Sequence, residues 1–241
     1  MKQLVITGAV AGALLVSNAA SAQVQFLPIR GSAAIFGSYM SQSDNQYPLN
    51  PDGFGGGAQL GFNITRNFFI TGSYEYDYLR QDNASSGALG LNPPGGSTTY
   101  GLDTEQVRAG GGWKFPLRPA PIDLFAKVEY VHYGYRYVNG IQDGQAIANG
   151  SPFNEDGVGG HFGFQTRMPG FSLYGSAGYL SLSNADGPEF NIGAEVPMLP
   201  FVWAFAEYRY DDLRYDNGGC CYYNSERNEI DNVHLGVRMS F

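Results

Sequence analysis

Charge is scarce in this sequence of 241 residues. Asp, Glu, Lys and Arg make up 15% of it, against about a quarter in ordinary globular domains. Acids outnumber bases, 22 to 14. The net charge of −8 argues against a nucleic-acid partner, because phosphate contacts need Lys and Arg. Cysteine is nearly absent: two residues, adjacent, Cys220-Cys221. Two sulfurs cannot build a disulfide framework for a chain this long. Neighbouring Cα atoms lie about 3.8 Å apart, closer than the roughly 4.4–6.8 Å that disulfides prefer. A vicinal bridge is strained yet attainable in an oxidising compartment, and NGGCCYYN reads as a loop tip. Long apolar runs are missing too. Past residue 22 no stretch reaches the about 20 apolar residues of a transmembrane helix. Three histidines without ligand spacing predict no metal site, and no cofactor is expected.

What is present begins with MKQLVITGAVAGALLVSNAASA, residues 1–22. Lys2, the apolar run Leu4 to Val16 and the small-residue site Ala20-Ser21-Ala22 read as a secretory signal peptide. The remaining segment, 23–241, reads as one domain. It is rich in Gly (34 in the chain) and Tyr (17), a composition that suits a β-rich protein showing an apolar surface to lipid.

Residues 231–241, DNVHLGVRMSF, alternate strictly. Val233, Leu235, Val237, Met239 and Phe241 are apolar, and polar or small residues stand between them. A period of two gives a strand one apolar face and one polar face. Ten such segments recur: 29–40, 54–64, 68–80, 102–115, 123–137, 157–168, 171–182, 189–197, 201–213 and 230–241. Most are near or above the about 9 to 11 residues of a tilted membrane-crossing strand. Connections after strands 2, 4, 6 and 8 are short. Those after strands 1, 3, 5 and 9 are long and rich in Gly, Asn, Asp and Pro; NADGP, after strand 7, is a short exception. Short turns on one rim and long loops on the other are the habit of outer-membrane barrels. Tyrosines (Tyr76, Tyr78, Tyr130, Tyr135, Tyr137, Tyr179, Tyr208, Tyr210) gather toward the loop rim. Phe and Trp (Phe62, Phe68, Trp113, Phe115, Phe164, Phe171, Phe201, Trp203, Phe241) gather toward the turn rim. Two aromatic girdles mark the two interfaces of a bilayer. The expected fold is therefore an all-β, transmembrane, antiparallel up-and-down barrel of ten strands, with eight as the alternative. SYEYDY, KVEYVHY and FAEYRYDD also form a loose repeat, Glu then Tyr, on three odd strands.

The signal peptide, the alternation and the ending HLGVRMSF resemble small Gram-negative outer-membrane barrels of the opacity-protein and OmpA-like kind. Segments such as QVRAGGGWKF, IDLFAKVEYVHY and DGVGGHFGF resemble, more narrowly, a barrel family once described as secreted quorum-sensing factors. The resemblance implies location in the outer membrane after export through the periplasm. It also implies a lipid bilayer and lipopolysaccharide as surroundings. It makes Val237, Met239 and Phe241 an assembly signal, read by the barrel-assembly machinery.

Alternation points Glu75, Asp77, Arg108, Lys127, Glu129, Arg167, Glu195, Glu207, Arg209, His234 and Arg238 inward, with Gln59, Gln106, Lys114 and His161. Narrow barrels fill their interiors with side chains, while open channels appear at about 16 to 18 strands. Buried charges must be paired, so an ionic plug is expected. Inward glycines, Gly57, Gly112 and Gly163 among them, leave a narrow water path conceivable. The acids Asp52, Glu155, Asp156, Asp211 and Asp212 are expected in solvated loops or at their edges. The reading is a monomeric barrel with a structural or surface-interaction role and no enzymatic activity. A narrow channel for small solutes is the alternative, and an outer-membrane hydrolase the third. Resemblance to outer-membrane proteases would ask for paired acids and a His–Asp couple near the loop rim. Asp211 and Asp212, as adjacent residues on a strand, point to opposite faces, and His132 falls on the outer face.

Overall fold

The computed structural model describes residues 30–44, 50–85, 97–142, 145–146, 153–215 and 227–241. The segment 1–22 and Cys220-Cys221 lie outside the described residues. Ten long strands form: β1 Arg30–Asp44, β2 Asp52–Asn63, β3 Phe68–Ser85, β4 Ser97–Leu117, β5 Ile122–Gln142, β6 Phe153–Met168, β7 Phe171–Leu182, β8 Ala185–Leu199, β9 Val202–Tyr215 and β10 Asn228–Ser240. A two-residue piece, Gln145–Ala146, folds back on the end of β5. Each strand pairs antiparallel with its neighbours in sequence, and β10 pairs with β1 to close the sheet. Closure leaves no unpaired edge, which is what a strand protein needs in hydrocarbon.

The seam is continuous from Ser32↔Ser240 to Asp44↔Asn228. Reciprocal backbone bonds between Gly31 and Phe241, 2.8 and 3.0 Å, carry it to the last residue. The turn-end links are residues 64–67, 118–121, 169–170 and 200–201. Gly170 sits at φ 87°, a backbone that favours glycine and closes a two-residue hairpin. At the other rim, the short link after β7 is Ser183-Asn184. It is tied down by Glu155, which accepts from the Ser183 hydroxyl, the Asn184 N–H (2.8 Å) and the Asn184 side-chain amide (3.0 Å). Glu155 is thus a buried strand residue, where the sequence suggested a solvated loop acid. Two hydrogen-bonded neighbours offset its desolvation.

The outer wall is apolar. Ile35, Val128, Val158, Ile192 and Leu235 are each 56–65% exposed, which in water would be a liability and in hydrocarbon is the fit. Among the tyrosines, Tyr135 departs from the girdle. It shares the inward face with Tyr133, and the two rings stack at 6.0 Å. Trp203 likewise shares the face of Phe205 and Glu207 and is half-buried.

Candidate functional site: the barrel interior and its outer collar

The interior is layered from loop end to turn end. The uppermost layer is apolar: Met40, Leu79, Leu102, Val131, Tyr133, Leu180, Leu213 and Ile230 are all at most 4% exposed. These positions lie on the same strand faces as the charged ones. Leu79 follows Glu75 and Asp77 by the period of two, and Val131 follows Glu129. Charge identifies lumen positions in a sequence, whereas an apolar residue there looks like a break in the pattern.

Beneath lies the ionic layer, built around two arginines. Arg108 Nη1 donates to Glu129 Oε1 and Glu189 Oε1, both at 2.9 Å. Its Nη2 donates to the Tyr133 hydroxyl at 3.0 Å, which donates to Asp211 at 2.7 Å. Lys127 and His161 also reach Glu129, at 2.7 and 3.0 Å. Across the lumen, Glu75 accepts from Arg209 (3.0 Å) and Asn232 (2.7 Å) and meets His234 Nε2 at 2.8 Å. The other ring nitrogen of His234 lies 3.1 Å from Glu207, which also accepts from Tyr174 at 2.8 Å. Asp77 accepts from Ser38. Asp211 stands between the two arginines, 3.8 Å from Arg108 and 3.7 Å from Arg209. Charge-assisted bonds in a low-dielectric interior are individually strong, and each becomes a penalty when its partner is lost.

The fold thus brings together Glu75, Asp77, Arg108, Lys127, Glu129, Glu207, Arg209 and His234. Glu195 and Arg238 pair with each other nearer the turn rim, where Arg238 also donates to Gln59 at 3.0 Å. Arg167 does not join the network. It is the penultimate residue of β6, at the turn rim, and is exposed. Glu189, Asp211 and Asn232 are members that charge patterning alone did not single out.

Between the ionic layer and the turn rim, Phe36, Phe69, Phe125 and Phe205 fill the bore. Three of the inward glycines, Gly57, Gly112 and Gly163, leave room for the rings of Phe36, Phe69 and Phe125. A Cβ on Gly57 would stand 2.6 Å from the Phe36 ring, and one on Gly236 2.8 Å from both Phe205 and Phe36. At these positions aromatic rings occupy the space where the sequence left open a water path.

One set of described residues has metal-ligand proximity: Glu129, His161 and Glu189 offer atoms within 4.8 Å of one another. Strand pairing assembles it from β5, β6 and β8, so no sequence spacing could announce it. Arg108 Nη1 already lies 2.9 Å from both carboxylates, so a guanidinium takes the place a cation would need. His132 is on the outer face, 2.8 Å from Asp156. Asp211 points inward, and Asp212 is held by Arg227 at 2.7 and 2.8 Å.

The outer face carries a second, regular arrangement near the loop rim. In each of the five loop-end hairpins a tyrosine on the first strand reaches toward an aspartate on the second, and in four of them its hydroxyl donates to the carboxylate. The pairs are Tyr39–Asp52 (3.1 Å), Tyr76–Asp103, Tyr130–Asp156, Tyr179–Asp186 and Tyr208–Asp231. In every pair the aspartate stands two residues loopward of the tyrosine's register partner: Phe54, Glu105, Val158, Pro188 and Val233. The Glu-Tyr repeat is thereby explained. Glu75, Glu129 and Glu207 enter the ionic layer, and the next residues, Tyr76, Tyr130 and Tyr208, enter this collar.

A closed antiparallel barrel with an apolar exterior and a charged interior is a transmembrane β-barrel. Residues 7–241 match the family described as Outer membrane protein beta-barrel domain. The chain belongs to that family, and its place is the outer membrane. No curated protein sequence matches it. Among solved structures, it is similar in architecture to Neisserial surface protein A at 12% identity, over 88% of this chain and 97% of that one, with a TM-score of 0.44. It is similar to Ail, the attachment invasion locus protein of Yersinia pestis, at 13% identity, over 89% and 100%, with a TM-score of 0.41. The outer membrane protease OmpT of Escherichia coli is also similar, at 10% identity, over 91% and 99%, with a TM-score of 0.48.

Proposed function

We propose that this protein serves the outer membrane as a closed, monomeric structural and surface-interacting barrel, neither a conduit nor an enzyme. The observation that supports it most is the stacking of an apolar layer over the ionic one. An ion entering from the loop end would have to shed water past Leu79, Val131, Leu180 and Leu213, all 0% exposed, and an apolar constriction obstructs ions by dewetting. It would then meet carboxylates already paired with guanidinium groups. On this reading the loops, held by a rigid wall, present the interacting surface. Lipopolysaccharide forms the outer-leaflet surroundings, and Val237, Met239 and Phe241 deliver the chain to the barrel-assembly machinery. Planar-bilayer recording of the purified protein is the test. No discrete conductance is expected; regular single-channel steps would replace this reading with that of a narrow pore. Deleting Phe241 tests the delivery step. Less of the heat-modifiable folded form is expected in outer-membrane fractions, and an unchanged amount would reject the signal.

A further inference from the structure

Five aspartates ring the loop end, where Arg136 and Arg227 pair with Asp103 and Asp212; the turn end is basic. There, Arg66 lies in the β2–β3 turn, Arg118 opens the β4–β5 turn and Arg167 is the penultimate residue of β6, all three exposed. These turns are contiguous. Phe68 and Trp113 are register partners on β3 and β4, and the Arg167 N–H donates to the Pro121 carbonyl at 3.2 Å. Asp123 is the single acid among residues 64–68, 113–123 and 165–171.

Loopward of this basic rim, the lipid-facing wall is indented by a groove of about 450 Å³. The cause is local. Gly111, Val128 and Gly160 form one outward row, and Trp113 and Ala126 lie in the next. Small residues thus lie beside the Trp113 and Phe68 rings, whose centroids are 6.3 Å apart. A Cβ on Gly160 would meet nothing within 4 Å, so the indentation is missing side-chain volume on an otherwise bulky wall.

The groove is continuous with the surface that faces hydrocarbon, so its natural occupant is an acyl chain. The rim below it offers guanidinium groups, whose planar forks match phosphate oxygens. The turn end faces the periplasm, so that lipid belongs to the inner leaflet. We propose that the β3–β6 wall is a binding site for one anionic glycerophospholipid, with an acyl chain along Gly111, Ala126 and Gly160 and its phosphate on Arg66 and Arg118.

The chain's two tryptophans provide the readout. In a Trp203→Phe background, Trp113 is the lone reporter at the groove wall. The protein is reconstituted in phosphatidylcholine vesicles containing a minor fraction of acyl-brominated lipid. Brominated phosphatidylglycerol should quench Trp113 more than brominated phosphatidylcholine at equal fraction, with an apparent enrichment of about fivefold per engaged arginine. Arg66→Gln with Arg118→Gln should remove the preference but keep the unselective quenching. Gly160→Leu, which points into open space, should lower quenching by both lipids while the heat-modifiable folded form persists. Equal quenching by the two brominated lipids in the parent protein overturns the proposal. So does an oligomer, seen by native mass spectrometry, that Gly160→Leu abolishes, for the groove would then hold a second copy of the chain.

Discussion

Glu129 and Tyr130 are consecutive in the chain and stand on opposite sides of one wall. Glu129 is 3% exposed and is gripped by Arg108, Lys127 and His161; Tyr130 is 48% exposed and bonds one neighbour, Asp156. The same pairing of inner acid and outer tyrosine recurs at Glu75-Tyr76 and Glu207-Tyr208. Both sides use carboxylates as acceptors across strands, so bond chemistry does not separate them. What separates them is what replaces a lost partner. Near the outer interface, water or a lipid headgroup can take its place. In the lumen the neighbouring acids already have partners of their own and burial keeps solvent away, so the lost carboxylate is not replaced.

The largest effect is therefore expected inside. Glu129→Gln leaves Lys127 and His161 facing a neutral amide and Arg108 with Glu189 as its remaining close carboxylate. Breaking a buried pair costs about 3–5 kcal/mol, and a loss of that size is expected in urea titration of the barrel in lipid vesicles. A loss below about 1 kcal/mol, the worth of an exposed pair, together with altered ion selectivity in bilayers, would mean that water screens the lumen.

A somewhat smaller effect tests the wall itself. Leu235→Arg places a charge in hydrocarbon, at about 2–4 kcal/mol near the midplane. Ser240→Arg, at the turn rim on the other face of β10, should cost much less. Leu235 is 62% exposed and its register partners are Gly37 and Ala206, so no polar side chain there can receive the guanidinium. Equal folding free energies for the two variants would show that this face of β10 does not meet lipid.

This contrast also explains what the sequence could and could not disclose. Strand number, order and facing follow from a period of two, which the chain keeps because one face meets hydrocarbon throughout. The charged lumen positions follow from the same parity. Two things do not. Depth is one: Arg167 has inward parity but stands exposed at the turn rim, because parity gives a face and no height. Partnership is the other: the closest contacts join residues such as Glu75 and His234, 159 apart in sequence, and closure between β1 and β10 brings their strands near. The apolar upper layer was hidden for a further reason. Leu79, Leu180 and Leu213 violate the polar-inside pattern that identified the fold, and only the narrowing of a ten-strand bore makes them fit.

The smallest effect is expected in the collar, where Tyr208–Asp231 is the simplest station. The Tyr208 hydroxyl bonds Asp231 across the strands, and Tyr208 stays 40% exposed. Tyr208→Phe removes one hydroxyl and leaves the ring to pack on the outer wall. Asp231→Asn keeps an acceptor oxygen but removes the charge. A neutral hydrogen bond contributes about 0.5–1.5 kcal/mol net, and water access reduces that further. Each single variant should therefore lower stability by less than about 1 kcal/mol, and the double variant by little more than the worse single one. The signature of a cross-strand latch is that coupling, read in the same urea titration as a double-mutant cycle. It should weaken with salt more than the Glu129 effect does, because screening reaches exposed groups first. Strictly additive variants would show that the tyrosine and aspartate occupy the interface independently. A coupling as large as the lumen loss would show that this level of the wall is dry, and would place the hydrocarbon boundary loopward of Asp231.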